Sequence, residues 1–136
     1  MKILRIMTPD WHGCYQMGDG HSCCEHLRAA HDLLNEQFPL DECEKSERRP
    51  VPFNDDLLSL NLRSRYGSDW IKEWELFGFK DERQLFRWYS PEELSILRLA
   101  GLDVYEIEVP ADFVIEGNCQ VIFDRRHVTN WTKHAN

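Results

Sequence analysis

The densest chemistry of the chain lies near its start. His12, Cys14, His21, Cys23, Cys24, His26 and His31 crowd into twenty residues. Thiolates and imidazoles are the ligands zinc takes, four at a time. Cys23 and His26 stand one helical turn apart, but the spacing HxCCxH comes with no CxxC pair to complete a tetrahedral set. The expectation is therefore a helix with cysteines at small buried positions and histidines on its wet side, without metal. A thiol nucleophile would need a base and an electropositive setting, and nearby histidines alone do not define one. Arg5 is a sharper candidate. It interrupts the apolar run KILRIM, and an arginine on a strand otherwise fit for a core is edge-exposed, paired, or poised to grip a phosphate or carboxylate.

The elements that must position these groups are readable at several points. KILRIM (2–7) is rich in branched apolar residues and predicts a strand; TPDWHGCYQMGDGHS predicts a long loop. Gly18-Asp19-Gly20 is too short for a phosphate loop, and no GxxxxGK[ST] or GxGxxG occurs. Ser22 and Glu25 predict a capping box for a helix running to about Glu36. FPLDECEKSERRPVPF carries three prolines and mixed charge, and is expected to be a loop or flexible excursion. Asn54 is the expected cap of a helix over DDLLSLNLRSR that ends at Tyr66 and Gly67. DWIKEWELFGF fits a short helix followed by a strand-like entry into Gly78.

The most legible stretch is GFKDERQLFRWYSPEELSILRLAGLDVYEIEV, residues 78–109. Asp81 and Gln84 open one helix. Ser90-Pro91-Glu92-Glu93 opens a second, with a capping serine, proline at the first helical position and a glutamate closing the box. Gly101 stands where a left-handed cap is wanted. DVYEIEV then alternates, with Tyr105, Ile107 and Val109 on one face and Glu106 and Glu108 on the other. PADFVIEGN reads as a turn region and CQVIFDRR as a last strand.

These elements predict an α+β fold, one compact domain over residues 1–136, with strands 2–7, 103–109 and 119–125 in a single sheet and short helices packed on it. The first and last extended segments are expected side by side, bringing Arg5 close to Gln120. Trp70, Trp74, Phe77, Phe86 and Trp88 are expected to form much of the core.

Composition bounds the function classes. The net charge of −8 opposes a sequence-independent grip on nucleic acid, which needs a cationic face. The helix that follows Ser90 carries Glu92 and Glu93 against Arg98, the wrong sign for reading DNA. An acidic surface suits a partner with a basic patch. No apolar run approaches the ~20 residues of a membrane span. Five cysteines, an odd number, cannot form a fully paired framework, so reduced thiols and a cytoplasmic setting are expected.

Three stretches resemble a family of small uncharacterised phage and prophage proteins: ILRIMTPDWHGCY, FGFKDERQLFRWYSPEELSILRLAGLDVYEIEV and GNCQVIF. The resemblance covers about half the chain. It implies a phage-encoded factor in the host cytoplasm that binds and inhibits a host protein or complex, such as a defence machine, without a cofactor. The order of strand arginine, central aromatic helix–strand unit and late strand also resembles small ADP-ribosyltransferase-like folds. That likeness implies that Arg5 holds NAD, that Tyr15 stacks on its ring, and that a late catalytic carboxylate stands where this chain has Gln120, with Glu116 nearby. Glutamine carries no charge to stabilise an oxocarbenium-like transition state. The alternative to the binding factor is thus an NAD-dependent enzyme modifying a host protein or nucleotide, with Arg5, Gln120 and Glu116 as its catalytic candidates.

Overall fold

A computed structural model describes residues 1–11, 13, 32–50, 54–67 and 71–134. In chain order these are β1 (Lys2–Met7), α1 (32–37), α2 (Glu42–Arg48), α3 (Asp56–Tyr66), β2 (Glu75–Gly78), α4 (Glu82–Trp88), α5 (Pro91–Leu99), β3 (Asp103–Glu108), β4 (Val114–Glu116), β5 (Val121–Asp124) and β6 (Asn130–Lys133). The fold is α+β, with helices and two small antiparallel sheets.

The first sheet has the order β1-β3-β6 and the second β2-β5-β4. The single sheet expected from the sequence is therefore two. β3 is flanked by β1 and β6, and β5 by β2 and β4, so each central strand has both edges occupied. β1 and β5 do not pair. An antiparallel bridge from Leu4 to Phe79, closed by two backbone hydrogen bonds of 2.7 Å, links β1 instead to the residue that follows β2.

Strand alternation builds the layers. Leu4 and Ile6 of β1 and Val104 of β3 face the helices, packing with Leu85, Trp88, Leu94 and Leu97 of α4 and α5 and with Leu34 of α1. The opposite faces of the same strands carry Ile3, Met7, Tyr105 and Ile107. These pack on Val114, Val121 and Phe123 of the second sheet. Ile115 and Ile122, turned the other way, receive Leu58 and Leu62 of α3. The layers thus run α4/α5, first sheet, second sheet, α3.

Several starts and stops obey local rules. Asp81 caps α4 by accepting from the Gln84 N–H, and Ser90 and Glu93 form the reciprocal box of α5. Gly101 takes φ 90°, the left-handed value that lets the chain turn from α5 into β3. Other expectations are corrected. The cap of α3 is Asp55, one residue later than Asn54. The stretch expected to be a flexible excursion contains α2, whose first turn is tied by Asp41 accepting from the Glu44 N–H at 2.8 Å. β4 lies inside the expected turn region, and β6 comes after what was expected to be the last strand. Both are short, three and four residues, and β6 pairs with a strand distant in sequence. The helix expected from Ser22 to Glu36 is seen only as its last turns, 32–37; its start lies outside the described residues.

The core is more aliphatic than expected. Trp88 is buried, but Trp74 and Phe77 are only partly covered and Phe86 is 43% exposed. Helical geometry explains the last case: Leu85 and Trp88, three apart, share the inward face of α4, and Phe86 is rotated away from it. Trp70 lies outside the described residues.

Candidate functional site

Arg5 belongs to the face of β1 that looks at the second sheet, between Ile3 and Met7. Its side chain is buried there, 3% exposed, and Nη1 donates to the Phe77 carbonyl at 2.6 Å. Gln120 lies just before β5, in the second sheet's hairpin loop, 2% exposed, and its amide donates to the Pro50 carbonyl at 2.8 Å. The two residues thus belong to segments that do not pair, and they engage carbonyls from different parts of the chain. Glu116 is exposed at the end of β4, and its backbone carbonyl accepts from Asn61 of α3 at 2.9 Å. Tyr15 lies outside the described residues, as do His12, Cys14, His21, Cys23, Cys24, His26 and His31. Among the described residues no cluster of three or more metal-ligating side chains occurs.

The loop that holds Gln120 is a junction of buried polar groups. Asp55 accepts from three backbone N–H groups: Leu58 at 3.2 Å, Asn118 at 2.8 Å and Cys119 at 2.9 Å. The Gln84 amide donates to the Gly117 and Asn118 carbonyls, at 3.0 and 3.1 Å, and the Trp88 indole donates to the Cys119 carbonyl at 2.9 Å. A Cβ on Gly117 would come within 2.6 Å of the Asp55 carboxylate, so the loop approaches the cap only because it has glycine there. Cys119 is buried beside this junction. Burial pushes its thiol pKa up, the opposite of what a nucleophile needs. Asp55, Gln84 and Trp88 all satisfy backbone groups, which is scaffold chemistry.

A second cluster ties α2 to the α4–α5 corner. Glu93, 2% exposed, accepts from Arg48 at 2.5 Å and from Arg49, as well as from the Ser90 N–H at 3.0 Å. Burial works against the Glu93 charge, but the Ser90 N–H and both arginines outweigh it and hold the carboxyl below its ordinary pKa. Arg49 also lies 4.4 Å over the Tyr89 ring, and both arginines donate to the Trp88 carbonyl. The consequence for the surface is direct. The two arginines of this segment turn inward, and Asp32, Glu36, Asp41, Glu44 and Glu47 stay exposed on α1 and α2, with Leu33 partly exposed among them. Part of the charge excess read from composition is thus exposed along residues 32–47. Sequence reasoning missed it because the segment was not expected to be helical; the triplet ERR before Pro50, facing a capping-box glutamate, was the available signal.

The third cluster lines a hollow of about 180 Å³ between α4, α5 and the first sheet, bounded by Glu82, Leu85, Phe86, Pro91, Leu94, Arg98, Val104 and His134. His134 lies between two carboxylates. Its Nδ1 is 2.9 Å from Glu106 Oε1 and its Nε2 2.9 Å from Glu82 Oε1. Both ring nitrogens are engaged, so the imidazole is not placed as a general base.

Among the described residues no helix is long and apolar enough to cross a membrane. No curated protein and no solved structure matches the chain. Residues 1–135 match the family model of the Bacteriophage T4 Y00F protein, and the chain belongs to that phage family.

Proposed function

We propose that this phage protein is a host-interaction factor, an acidic module that binds a basic surface of a host protein or complex and blocks it, with a host defence machine as the target class. The observation that supports this reading is the sorting of charge over residues 32–49. Arg48 and Arg49 are spent on Glu93, while Asp32, Glu36, Asp41, Glu44 and Glu47 are exposed, as is Leu33. A face of one sign raises encounter rates with a partner of the other sign and orients it. The partly exposed leucine supplies apolar contact that charge alone does not.

The NAD-dependent alternative draws no comparable support. Arg5 and Gln120 are both buried and donate to backbone carbonyls, so neither offers NAD a surface it could reach.

The test is capture from host lysate at moderate salt with the tagged chain and with a charge-reversed variant, Asp41→Lys/Glu44→Lys/Glu47→Lys. The expected result is a host protein or complex retained by the native chain and lost by that variant. A reversal at Asp112 and Glu116, on the far part of the chain, should leave capture intact. The activity of the captured machine should fall when the native chain is added. Retention of nothing, or equal retention by both charge-reversed chains, overturns the reading.

A further inference from the structure

Among the described strands β6 is an edge strand, with all four residues exposed, that pairs with β3 alone. So little burial gives a four-residue edge strand weak hold on a sheet. The next residue, His134, is anchored by its backbone and by both ring nitrogens. Its N–H donates to the Val104 carbonyl at 2.8 Å, and the imidazole is set between Glu106 of β3 and Glu82 of α4. A neutral imidazole has one N–H and one lone pair, so it can satisfy one carboxylate and must turn a lone pair toward the other. An imidazolium donates to both.

We propose that Glu82, His134 and Glu106 form a proton-operated clasp that holds β6 on the first sheet, closed when the imidazole is charged and loosened when it is neutral. The other charged groups nearby do not cancel this design. Lys2 of β1 is 3.7 Å from Glu106 and competes only for that carboxylate. Arg98 of α5, which lines the same hollow, is engaged by Asp103 at 3.1 Å, and Lys133 of β6 lies 3.6 Å from the same aspartate. Among the described residues the cation paired with Glu82 is His134.

The Glu82 hydrogen bond, reinforced by Glu106 against partial burial, raises the His134 pKa above 6.5. A raised folded-state pKa means stabilisation that is complete below the unfolded value and lost as pH rises through the folded one. The clasp is therefore shut below about pH 6.5 and opens above its own raised pKa. Opening would uncover the edge of β3 from Tyr105 to Glu108 and part Trp131 from Tyr105 and Trp11, whose rings lie 5.5 and 5.4 Å from it. An uncovered strand edge is a pairing surface for another chain.

Amide hydrogen exchange by NMR on the full chain, expressed as protection factors so that the intrinsic rate cancels, tests the clasp. The Thr129 and His134 amides, which bond to Glu108 and Val104, report on β6; the Leu4 and Val109 amides, which bond to Phe79 and Met1, serve as internal controls. Between about pH 6 and about pH 9, protection at Thr129 and His134 is expected to be lost relative to the controls, in the direction that tighter proton binding in the folded state implies. In His134→Gln it should be low and flat with pH. In Glu82→Gln the fall should be smaller and begin at lower pH. Protection at the two reporters that tracks the controls in the native chain overturns the proposal, as does a His134 imidazole that titrates at or below 6.5.

Discussion

Among the charged clusters of the described residues, two sets of three side chains are built in opposite ways. At the α2–α5 junction one carboxylate, Glu93, serves two arginines; at the end of β6 two carboxylates, Glu82 and Glu106, serve one histidine. The first is buried on its acidic side and its cations cannot be deprotonated near neutrality. The second is partly open to solvent, and its cation changes state within the ordinary pH range. The same chemical vocabulary therefore yields a permanent brace in one place and a conditional one in the other. Burial and the choice of arginine or histidine decide which.

The comparison breaks most clearly at Glu93. Glu93→Ala would leave the Arg48 and Arg49 guanidiniums close together without their carboxylate and would remove the capping-box acceptor for the Ser90 N–H. A loss of about 3–5 kcal/mol is expected in urea unfolding, the scale for a broken buried ion pair. The acid limb carries a second signature. The depressed Glu93 pKa contributes stability that is complete above its unfolded value of 4.5 and is lost as pH falls through the folded value, so the variant should show a flatter acid limb.

Asp55→Ala comes next. It deletes the cap of α3 and leaves the Asn118 and Cys119 N–H groups without their acceptor, for an expected cost of about 3 kcal/mol in the same unfolding measurement. Asp55→Asn, which keeps one acceptor oxygen, should recover part of it. Equal loss in the two variants would argue against the three-donor geometry.

The smallest effect sharpens the contrast. His134→Arg replaces the titratable cation by a permanent one. Stability at about pH 6 should change by less than about 1 kcal/mol, in line with exposed ion pairs, while the pH dependence of β6 protection should disappear. If the dependence persists, another group drives it.

How much of the fold is legible in the sequence depends on range. The caps at Asp81 and Ser90, the left-handed turn at Gly101 and the strands expected at 2–7 and 103–109 rest on residues that act within four positions of one another; all are present, the second strand ending one residue earlier, at Glu108. β4, β6 and α2 do not. β4 and β6 are too short for periodicity to accumulate, and α2 lies in a proline-flanked, highly charged stretch that looks disordered until Glu93 is placed opposite its arginines. Arg5 and Gln120 stand out in the sequence as polar groups in apolar surroundings. Their partners, the Phe77 and Pro50 carbonyls, lie about seventy residues away in the chain, beyond the reach of any local pattern.

The amino-acid order by itself determined where the helices of the central unit start and stop, which faces of β1 and β3 are apolar, and that the chain carries an excess of negative charge. Those properties come from backbone sterics, local hydrogen bonds and simple counting. Only the tertiary structure decided that the strands divide into two sheets, that the arginines before Pro50 turn inward and leave the carboxylates outside, and that His134 falls between two glutamates. Each of those outcomes depends on which distant side chains the packing of apolar faces brings within about 3 Å, the distance over which hydrogen bonds form.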